Sequence, residues 1–310
     1  MAMQGKIIKS IAGFYEVYTG GEIYRCRAKG VFRALGEKPL VGDDVLMEPT
    51  DLVSDPKEGN VTKLLPRRND LIRPNVANVD QALLLFAITH PAPSFALVDR
   101  FLIILQQKHL PAVLCFNKQD LATREEIAEL RQVYEACGCR VLFLSARGEG
   151  EELDAVRAAV RGKTTVITGP SGAGKSTLIN ALCPGASMET GELSKKIARG
   201  KNTTRHVELL PAGEADTFLV DTPGFTSLYL FDTKAEDLKA YYPEFAPYAA
   251  SCRFHGCNHL SEPGCAVKEA CRVGKIPRIR YENYVSLFAE LKNQKPDYTK
   301  KREGRSSRGE

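Results

Sequence analysis

The chain has 310 residues, of which 43% are hydrophobic and 26% are charged, and its formal net charge is +5. This length gives room for two or three domains, and no apolar run reaches the roughly 18–20 residues of a membrane-spanning helix. The first residues lack the apolar stretch of a secretory signal, and nine cysteines in such a chain argue against disulfides. We therefore expect a cytoplasmic monomer with no membrane partner.

Residues 1–70 are predicted to form a small antiparallel β-barrel. Segments in which apolar and polar residues alternate, such as 14–18, 22–27 and 41–47, are separated by turns that contain glycine. About five such strands suit a barrel, and the OB-fold is a common nucleic-acid-binding barrel of this size. The charged segment that follows, 67–78, is predicted to be a linker.

Residues 71–228 are predicted to form an α/β domain. The run 82–88 is continuously apolar, as in a parallel strand covered on both faces, and Ser94 is suited to cap a following helix. Ligands bind at the carboxyl ends of strands in open α/β sheets, so these ends are where a site is expected. Further strands are predicted at 112–116, 140–144, 164–168 and 217–220, and each is followed directly by a polar or glycine-rich motif.

The segment 169–177 has the pattern of a phosphate-binding loop between a strand and an apolar helix. Its residues are Gly169, Pro170, Ser171, Gly172, Ala173, Gly174, Lys175, Ser176 and Thr177. Glycines at this spacing let backbone N–H groups surround phosphates, Lys175 would reach the β and γ oxygens, and the Ser176 hydroxyl would bind Mg²⁺. The alternative is a chance match in a glycine-rich turn, which the strand before and the helix after it disfavour.

Guanine specificity is indicated by two motifs that precede this loop. Asn117, Lys118 and Asp120 follow one predicted strand, and Ser145 and Ala146 follow the next. A carboxylate at position 120 can accept hydrogen bonds from guanine N1–H and from its exocyclic amine, which adenine cannot reproduce. A backbone N–H of the second motif would meet guanine O6. Alone, the first motif could be a helix start capped by Asp120, but the combined set indicates GTP.

Two later segments would complete a site for GTP and Mg²⁺. Asp221 supplies a carboxylate that would hold Mg²⁺ through water, and the N–H of Gly224 would meet the γ-phosphate. The polar stretch 201–205 offers Thr203 and Thr204 as Mg²⁺ ligands, and we favour Thr204. The residues predicted to act in hydrolysis are therefore Lys175, Ser176, Thr204, Asp221 and Gly224.

Two properties of these motifs distinguish the chain from ordinary GTPases. The guanine-reading motifs precede the phosphate loop instead of following it, which is the order that a circular permutation produces. In addition, Phe225 stands where many GTPases have a glutamine that orients the attacking water. Intrinsic hydrolysis should therefore be slow and depend on a partner or on a mobile polar group such as His206.

Residues 229–310 are predicted to form a helical zinc-binding lobe with a basic tail. Cys252, Cys257, His259 and Cys265 offer three thiols and one imidazole within 14 residues. Four such ligands form a closed tetrahedral site, so one structural Zn²⁺ per chain is expected to supply folding energy to this lobe. The spare candidates for ligands are His255 and Cys271, and the alternative is a group of unrelated free thiols.

The chain resembles the circularly permuted GTPases of bacteria that depend on the small ribosomal subunit, the RsgA (YjeQ/YloQ) family. The resemblance covers the barrel, the permuted motif order and the cysteine-rich segment with its Glu-Pro-Gly-Cys-Ala-Val sequence at 262–267. It implies an OB-fold, a Ras-like central domain and a structural zinc site at the four residues named above. In the switch, the sequence at 200–206 departs from the threonine-rich pattern that is frequent in the family.

The resemblance also implies a GTP hydrolase that acts in late maturation of the small ribosomal subunit and is stimulated by that subunit. Its partners would be GTP or GDP, the subunit and its rRNA. Basic clusters in the barrel, the switch and the tail would contact phosphates, which predicts salt-sensitive binding. Two alternatives are an ATP-dependent phosphotransferase, which would not need the guanine motifs, and a GTP-regulated module that binds tRNA or mRNA with negligible turnover.

Overall fold

The computed structural model describes residues 2–28, 32, 38–71, 74–183, 185, 207–213, 216–221 and 233–293. The chain divides into two compact units, one made of Met1–Glu135 and Cys139–Leu228 and the other of Ala136–Gly138 and Tyr229–Glu310. No helix within these described ranges is long and apolar enough to cross a membrane. The following predicted features lie outside the described residues: Thr203, Thr204, His206, Gly224, Phe225 and the tail after residue 293.

The N-terminal part of the first unit is a closed five-stranded barrel, as predicted. Its strands are β1 (Met3–Ile11), β2 (Phe14–Thr19), β3 (Glu22–Ala28), β4 (Asp44–Asp51) and β5 (Lys57–Leu64). Their order around the barrel is β1-β2-β3-β5-β4, with β3 and β5 parallel and the other pairs antiparallel. Alternate residues such as Val17 and Cys26 point inward, and burial raises the pKa of Cys26 to about 12, so this thiol is a neutral core residue.

The segment 67–78 is not an open linker, in contrast to the prediction. It contains two short paired strands, β6 (Asp70–Leu71) and β7 (Val76–Ala77). Asn78 is fully buried, accepts a hydrogen bond from Arg68 N at 2.9 Å and donates to Gly42 O at 3.0 Å. The charges that suggested solvent exposure are paired instead, as when Arg67 Nε donates to Asp43 Oδ1 at 2.6 Å.

The rest of the first unit is a six-stranded sheet covered by helices, which confirms the predicted α/β class. Its strands are β8 (Gln81–Ala87), β9 (Ala112–Asn117), β10 (Arg140–Phe143), β11 (Thr164–Thr168), β12 (Leu209–Pro211) and β13 (Phe218–Asp221). The order is β10-β9-β8-β11-β13-β12, and only β12 and β13 pair antiparallel. Every residue of β8 is buried, as expected for the apolar run 82–87, and the one polar residue, Gln81, donates a hydrogen bond to Ala159 O at 2.8 Å.

Local signals set the helix starts in this unit. The helices are α1 (Phe95–Gln107), α2 (Arg124–Tyr134), α3 (Glu151–Val160) and α4 (Lys175–Leu182). Ser94 accepts a hydrogen bond from Leu97 N at the start of α1, as predicted. Thr123 and Glu126 form a reciprocal capping box at the start of α2, because each side chain accepts a hydrogen bond from the other residue's backbone N–H.

The second unit is helical, as predicted. It contains 3₁₀ segments at Ala235–Tyr241 and Pro243–Phe245, and the helices α5 (Ala246–Ala249), α6 (Ala266–Arg272) and α7 (Arg278–Asn293). The rings of Phe245 and Tyr284 meet edge to face with centroids 5.1 Å apart. Beside them, Arg280 Nε donates to Glu244 Oε1 at 2.6 Å, and these two side chains are only 2% and 4% exposed. A buried ion pair requires a well-fixed frame, because separating its charges would be costly.

Candidate nucleotide-binding site and metal centre

The sheet brings the predicted nucleotide motifs to one edge. Asn117 is the last residue of β9, Gly169 follows β11, and Asp221 is the last residue of β13. Leu144 N donates to Phe116 O at 2.9 Å, which places Ser145 beside the end of β9. Since these strands are parallel, their carboxyl ends converge where α/β sheets bind ligands.

The side chain of Asn117 connects three of these motifs. Its Nδ2 donates to Ala173 O in the phosphate loop at 2.8 Å, and its Oδ1 accepts from Ala146 N at 2.9 Å. Asn117 is only 3% exposed, so both hydrogen bonds are shielded from water. Asn117 therefore holds the residues predicted to read guanine and the phosphate loop in one arrangement.

Gly174 is required by this arrangement for two reasons. Its φ is +97°, and a Cβ atom there would lie 2.3 Å from Asn117 Nδ2. Any other residue would therefore adopt a strained backbone and also displace the amide that connects the motifs.

We expect Gly174→Ala to weaken binding of GTP and GDP alike by about tenfold or more, because a left-handed residue with a Cβ atom costs about 1–2 kcal/mol before the collision is counted. Titration with a fluorescent guanine nucleotide would measure this change. Gly185→Ala is a matched control, since a Cβ atom on residue 185 would have no atom of the described residues within 4 Å and the φ of Gly185 is not in the left-handed range. Equal affinity of Gly174→Ala and the wild type would contradict this role of Gly174.

Asp120 and Ser145 also meet. Ser145 Oγ donates to Asp120 Oδ1 at 2.6 Å, and a cavity of about 210 Å³ opens beside them, with Gly148 in its wall. The hydroxyl thus orients the carboxylate toward the space next to both motifs. A fixed carboxylate can discriminate between bases, because a base that does not supply the matching donors leaves it unsatisfied.

The turn that follows β8 is a part of this site that the sequence did not reveal. Lys118 has a left-handed backbone with φ of 66°, and its Nζ donates to His90 O. Ile88 N donates to Asn117 O at 2.9 Å, while Pro91 Cδ lies 3.4 Å from the position of a Cβ on Gly172. The only signal in the sequence was its position, since residues 88–91 directly follow a buried parallel strand.

Lys175 lies inside the phosphate loop. Its Nζ donates to Gly169 O and Pro170 O, both at 2.9 Å. The ammonium group is therefore held over the loop at the N-terminus of α4, where the backbone N–H groups favour an anion.

The four predicted metal ligands converge in the second unit, and their ligand atoms lie within 4.8 Å of one another. The distances from Cys252 Sγ are 3.9 Å to Cys265 Sγ and 3.6 Å to His259 Nδ1. A tetrahedral Zn²⁺ with standard bond lengths separates two sulfurs by about 3.8 Å and a sulfur from a nitrogen by about 3.6 Å. The cluster is therefore compatible with zinc. Among the described residues, the spare candidates His255 and Cys271 do not belong to this cluster.

Burial and hydrogen bonding determine the protonation of the cluster. Burial raises the pKa of the Cys257 thiol to about 12 and lowers the pKa of His259. At Cys252 burial acts to raise the pKa, but hydrogen bonds from the backbone N–H groups of Val267 and Ala266 and from the neighbouring thiols outweigh it, so this pKa is lowered. A metal that binds these thiols would displace their protons, which would be released to solvent.

A hydrogen bond from the last helix fixes the ligand loop. Tyr281 Oη, on α7, donates to His259 O at 2.7 Å. The His259 ring is also 2% exposed and meets the Phe245 ring edge to face, with centroids 5.7 Å apart. The hydrogen bond to the His259 carbonyl and the ring contact with Phe245 therefore hold the imidazole in place.

These features define a class of protein. A predicted phosphate loop after the central strand β11, predicted guanine-reading residues at the ends of the earlier strands β9 and β10, and a Cys₃His cluster after the sheet describe a circularly permuted GTPase with a lobe that could bind a metal. Residues 64–231 match the family model described as RsgA GTPase, and residues 4–56 match the RsgA N-terminal domain. The chain belongs to the RsgA GTPase family and is a GTP-hydrolysing enzyme.

Relatives and solved structures agree with this assignment along the whole chain. A small ribosomal subunit biogenesis GTPase RsgA from Agathobacter rectalis is 48% identical over 303 residues, covering 94% of this chain and 99% of the relative. The crystal structure of YloQ, a circularly permuted GTPase, is 36% identical, covers 96% of this chain and 98% of its own, and superposes with a TM-score of 0.74. YjeQ from Thermotoga maritima is 32% identical, covers 95% and 100%, and gives a TM-score of 0.75.

Proposed function

We propose that this GTPase acts in late maturation of the small ribosomal subunit, and that binding to the subunit accelerates its hydrolysis of GTP. The observation that carries the proposal is that Asn117 connects three motifs predicted to bind a guanine nucleotide, which occur in permuted order. Near-complete coverage of relatives named for small-subunit biogenesis supports the choice of partner. The chain would act as a cytoplasmic monomer.

In this function, the guanine base would be read by Asp120 and by a backbone N–H at Ser145 and Ala146, with Asn117 and Lys118 holding their positions. The loop residues 169–177 would surround the phosphates, and Lys175 would exchange its two carbonyl partners for phosphate oxygens. Contacts of this kind strengthen as negative charge builds on the transferred group.

Mg²⁺, when bound with GTP, supplies charge neutralisation between the β- and γ-phosphates. The hydroxyls of Ser176 and Thr204 would hold it, with Asp221 acting through water, and hard oxygen donors of this type fit the ion. Gly224 N–H would meet the γ-phosphate. Phe225 cannot orient water by hydrogen bonding, so the subunit is expected to complete the hydrolytic site.

One Zn²⁺ per chain would be held by Cys252, Cys257, His259 and Cys265. The donor set fits, because the three sulfurs and the nitrogen lie within 4.8 Å of one another. The atoms of Cys252, His259 and Cys265 are separated by 3.4–3.9 Å, as in a tetrahedral site. Four protein ligands leave no open position, which gives the metal a structural role in a lobe that we assign to residues 229–310.

The barrel, which we assign to residues 1–70, would contact rRNA through a patch formed by Phe14, Arg25 and Arg27. The guanidinium carbons of Arg25 and Arg27 lie 4.2 and 4.9 Å from the centroid of the Phe14 ring. Within the described residues, neither guanidinium forms an ion pair with a carboxylate. Arginines stacked on an aromatic ring offer both phosphate contacts and stacking surface, which are the elements of RNA binding. We call these three residues the Phe14 patch.

The test is the rate of GTP hydrolysis with and without purified small ribosomal subunits. We expect the subunits to raise the turnover number at least about tenfold, since a partner that completes a GTPase site supplies large transition-state stabilisation. Lys175→Ala controls for GTPase activity carried by the subunits themselves. If hydrolysis stays slow with subunits present, the protein is a GTP-regulated RNA-binding module and the proposed function is wrong.

A further inference from the structure

The barrel packs directly against the strands that lead to the Mg²⁺-binding end of the sheet. The ring of Tyr18 on β2 meets Phe218 on β13 edge to face, with centroids 5.4 Å apart and planes at 87°. Lys6 Nζ lies 5.8 Å from the centroid of the same Phe218 ring. Phe218 is 1% exposed, so the contact is closed to water.

A second contact lies at the neighbouring edge strand. Lys9 on β1 and Glu208, which directly precedes β12, form an isolated antiparallel β-bridge. Their side chains also pair, with Lys9 Nζ 3.0 Å from Glu208 Oε1. We call these residues, together with Lys6, Tyr18 and Phe218, the barrel contact.

The residues of the barrel contact lie close in sequence to the residues proposed to hold Mg²⁺. Phe218 begins β13 and Asp221 ends it, so the two are about 10 Å apart along one strand. Glu208 comes four residues after Thr204. β13 also pairs in register with β11, the strand that leads into the phosphate loop, through Thr164 with Phe218 and Ile167 with Asp221.

Strand β2 connects the barrel contact to the Phe14 patch. Phe14 and Tyr18 lie on the same strand four positions apart, so both are on the face opposite the inward-pointing Val17. Val17, between them, is fully buried in the barrel core and fixes the strand. A single strand therefore joins a surface suited to RNA with the ring that contacts Phe218.

We propose that Tyr18 and Lys9 are positioning residues for GTP hydrolysis, which hold β12 and β13 so that RNA bound at the Phe14 patch favours the hydrolytic arrangement of the Asp221 end. This inference rests on the proposed function, because it concerns the stimulation by the subunit. In the part of the chain that the structure describes, these side chains contact β12 and β13 and not the nucleotide motifs.

The first test compares Tyr18→Ala with Tyr18→Phe in the full chain. We expect Tyr18→Ala to lower the ratio of subunit-stimulated to basal kcat by about fivefold or more, a size typical of coupling changes, while the subunit concentration for half-maximal stimulation stays within about twofold. Tyr18→Phe keeps the ring and should keep the ratio. An unchanged ratio for Tyr18→Ala would overturn the inference, and so would a loss explained fully by weaker subunit binding.

The second test exchanges the charges of the other contact. Lys9→Glu and Glu208→Lys should each lower the stimulation ratio. In the double variant the ratio should be at least about threefold higher than in either single variant, because the pair is then complementary again. The pair Lys57 and Glu22, 2.5 Å apart on the barrel, is a matched control whose exchange should leave the ratio unchanged. Absence of restoration would count against a positioning role for Lys9. These outcomes are separate from failure of the proposed function, in which the wild type itself would show no stimulation.

Discussion

Asp120→Asn should change the nucleotide preference from GTP to xanthosine triphosphate. The structure orients Asp120 through the Ser145 hydroxyl at 2.6 Å, so the replacement amide would occupy a fixed position. The NH₂ of the replacement amide takes the place of one acceptor oxygen and would oppose the exocyclic amine of guanine, whereas xanthine has a carbonyl oxygen at that position. We expect GTP affinity to fall by about 100-fold or more, as polar sites lose affinity strongly when a hydrogen-bond partner is mismatched.

Competition of GTP and xanthosine triphosphate against a fluorescent guanine nucleotide would measure the change in preference. Asp154→Asn is a suitable control, because Asp154 is an acidic residue of α3 that pairs with Arg157 at 2.7 Å and lies outside the nucleotide motifs. Unchanged GTP affinity in Asp120→Asn would show that Asp120 does not read the base.

Loss of the metal cluster should unfold the second unit. We expect Cys257→Ser, or treatment with a strong chelator, to remove the zinc proposed for this cluster and to make residues 233–293 sensitive to proteolysis. Structural zinc supplies about 10–16 kcal/mol to small domains, more than such a lobe gains from its core alone. The buried ion pair of Arg280 and Glu244 makes the loss of stability larger, because movement of the surrounding helices would separate these two charges while they are still partly buried.

Zinc content per chain and the pattern of limited proteolysis would report this result. Cys271→Ser is the control, because Cys271 is a half-buried thiol close in sequence that the cluster does not include. Nucleotide affinity should persist in Cys257→Ser, since the nucleotide motifs lie in the first unit. A variant that lost zinc but kept a protease-resistant second unit would rule out a structural role for the metal.

Short-range patterns predicted most of the elements that form the nucleotide site. The apolar run of β8, the Ser94 cap and the glycine spacing of 169–174 each reflect a constraint between residues close in the chain, such as burial on two faces or a missing Cβ. The same reasoning was wrong at 67–78. There, charges and a proline suggested an open linker, but Arg67 and Asn78 find their partners at Asp43 and Gly42, about 25–35 residues away.

By itself, the sequence determined the chemistry of this protein: a permuted set of GTP-binding motifs and a Cys₃His zinc-type ligand set. These are properties of residue types at short spacing, and they need no knowledge of the surroundings. Only the tertiary structure decided that Asn117 connects three motifs, that the turn at 88–91 holds Lys118, and that the barrel contacts Phe218. Such contacts join segments far apart in the chain. Their partners are selected by strand order and packing, which no local pattern encodes.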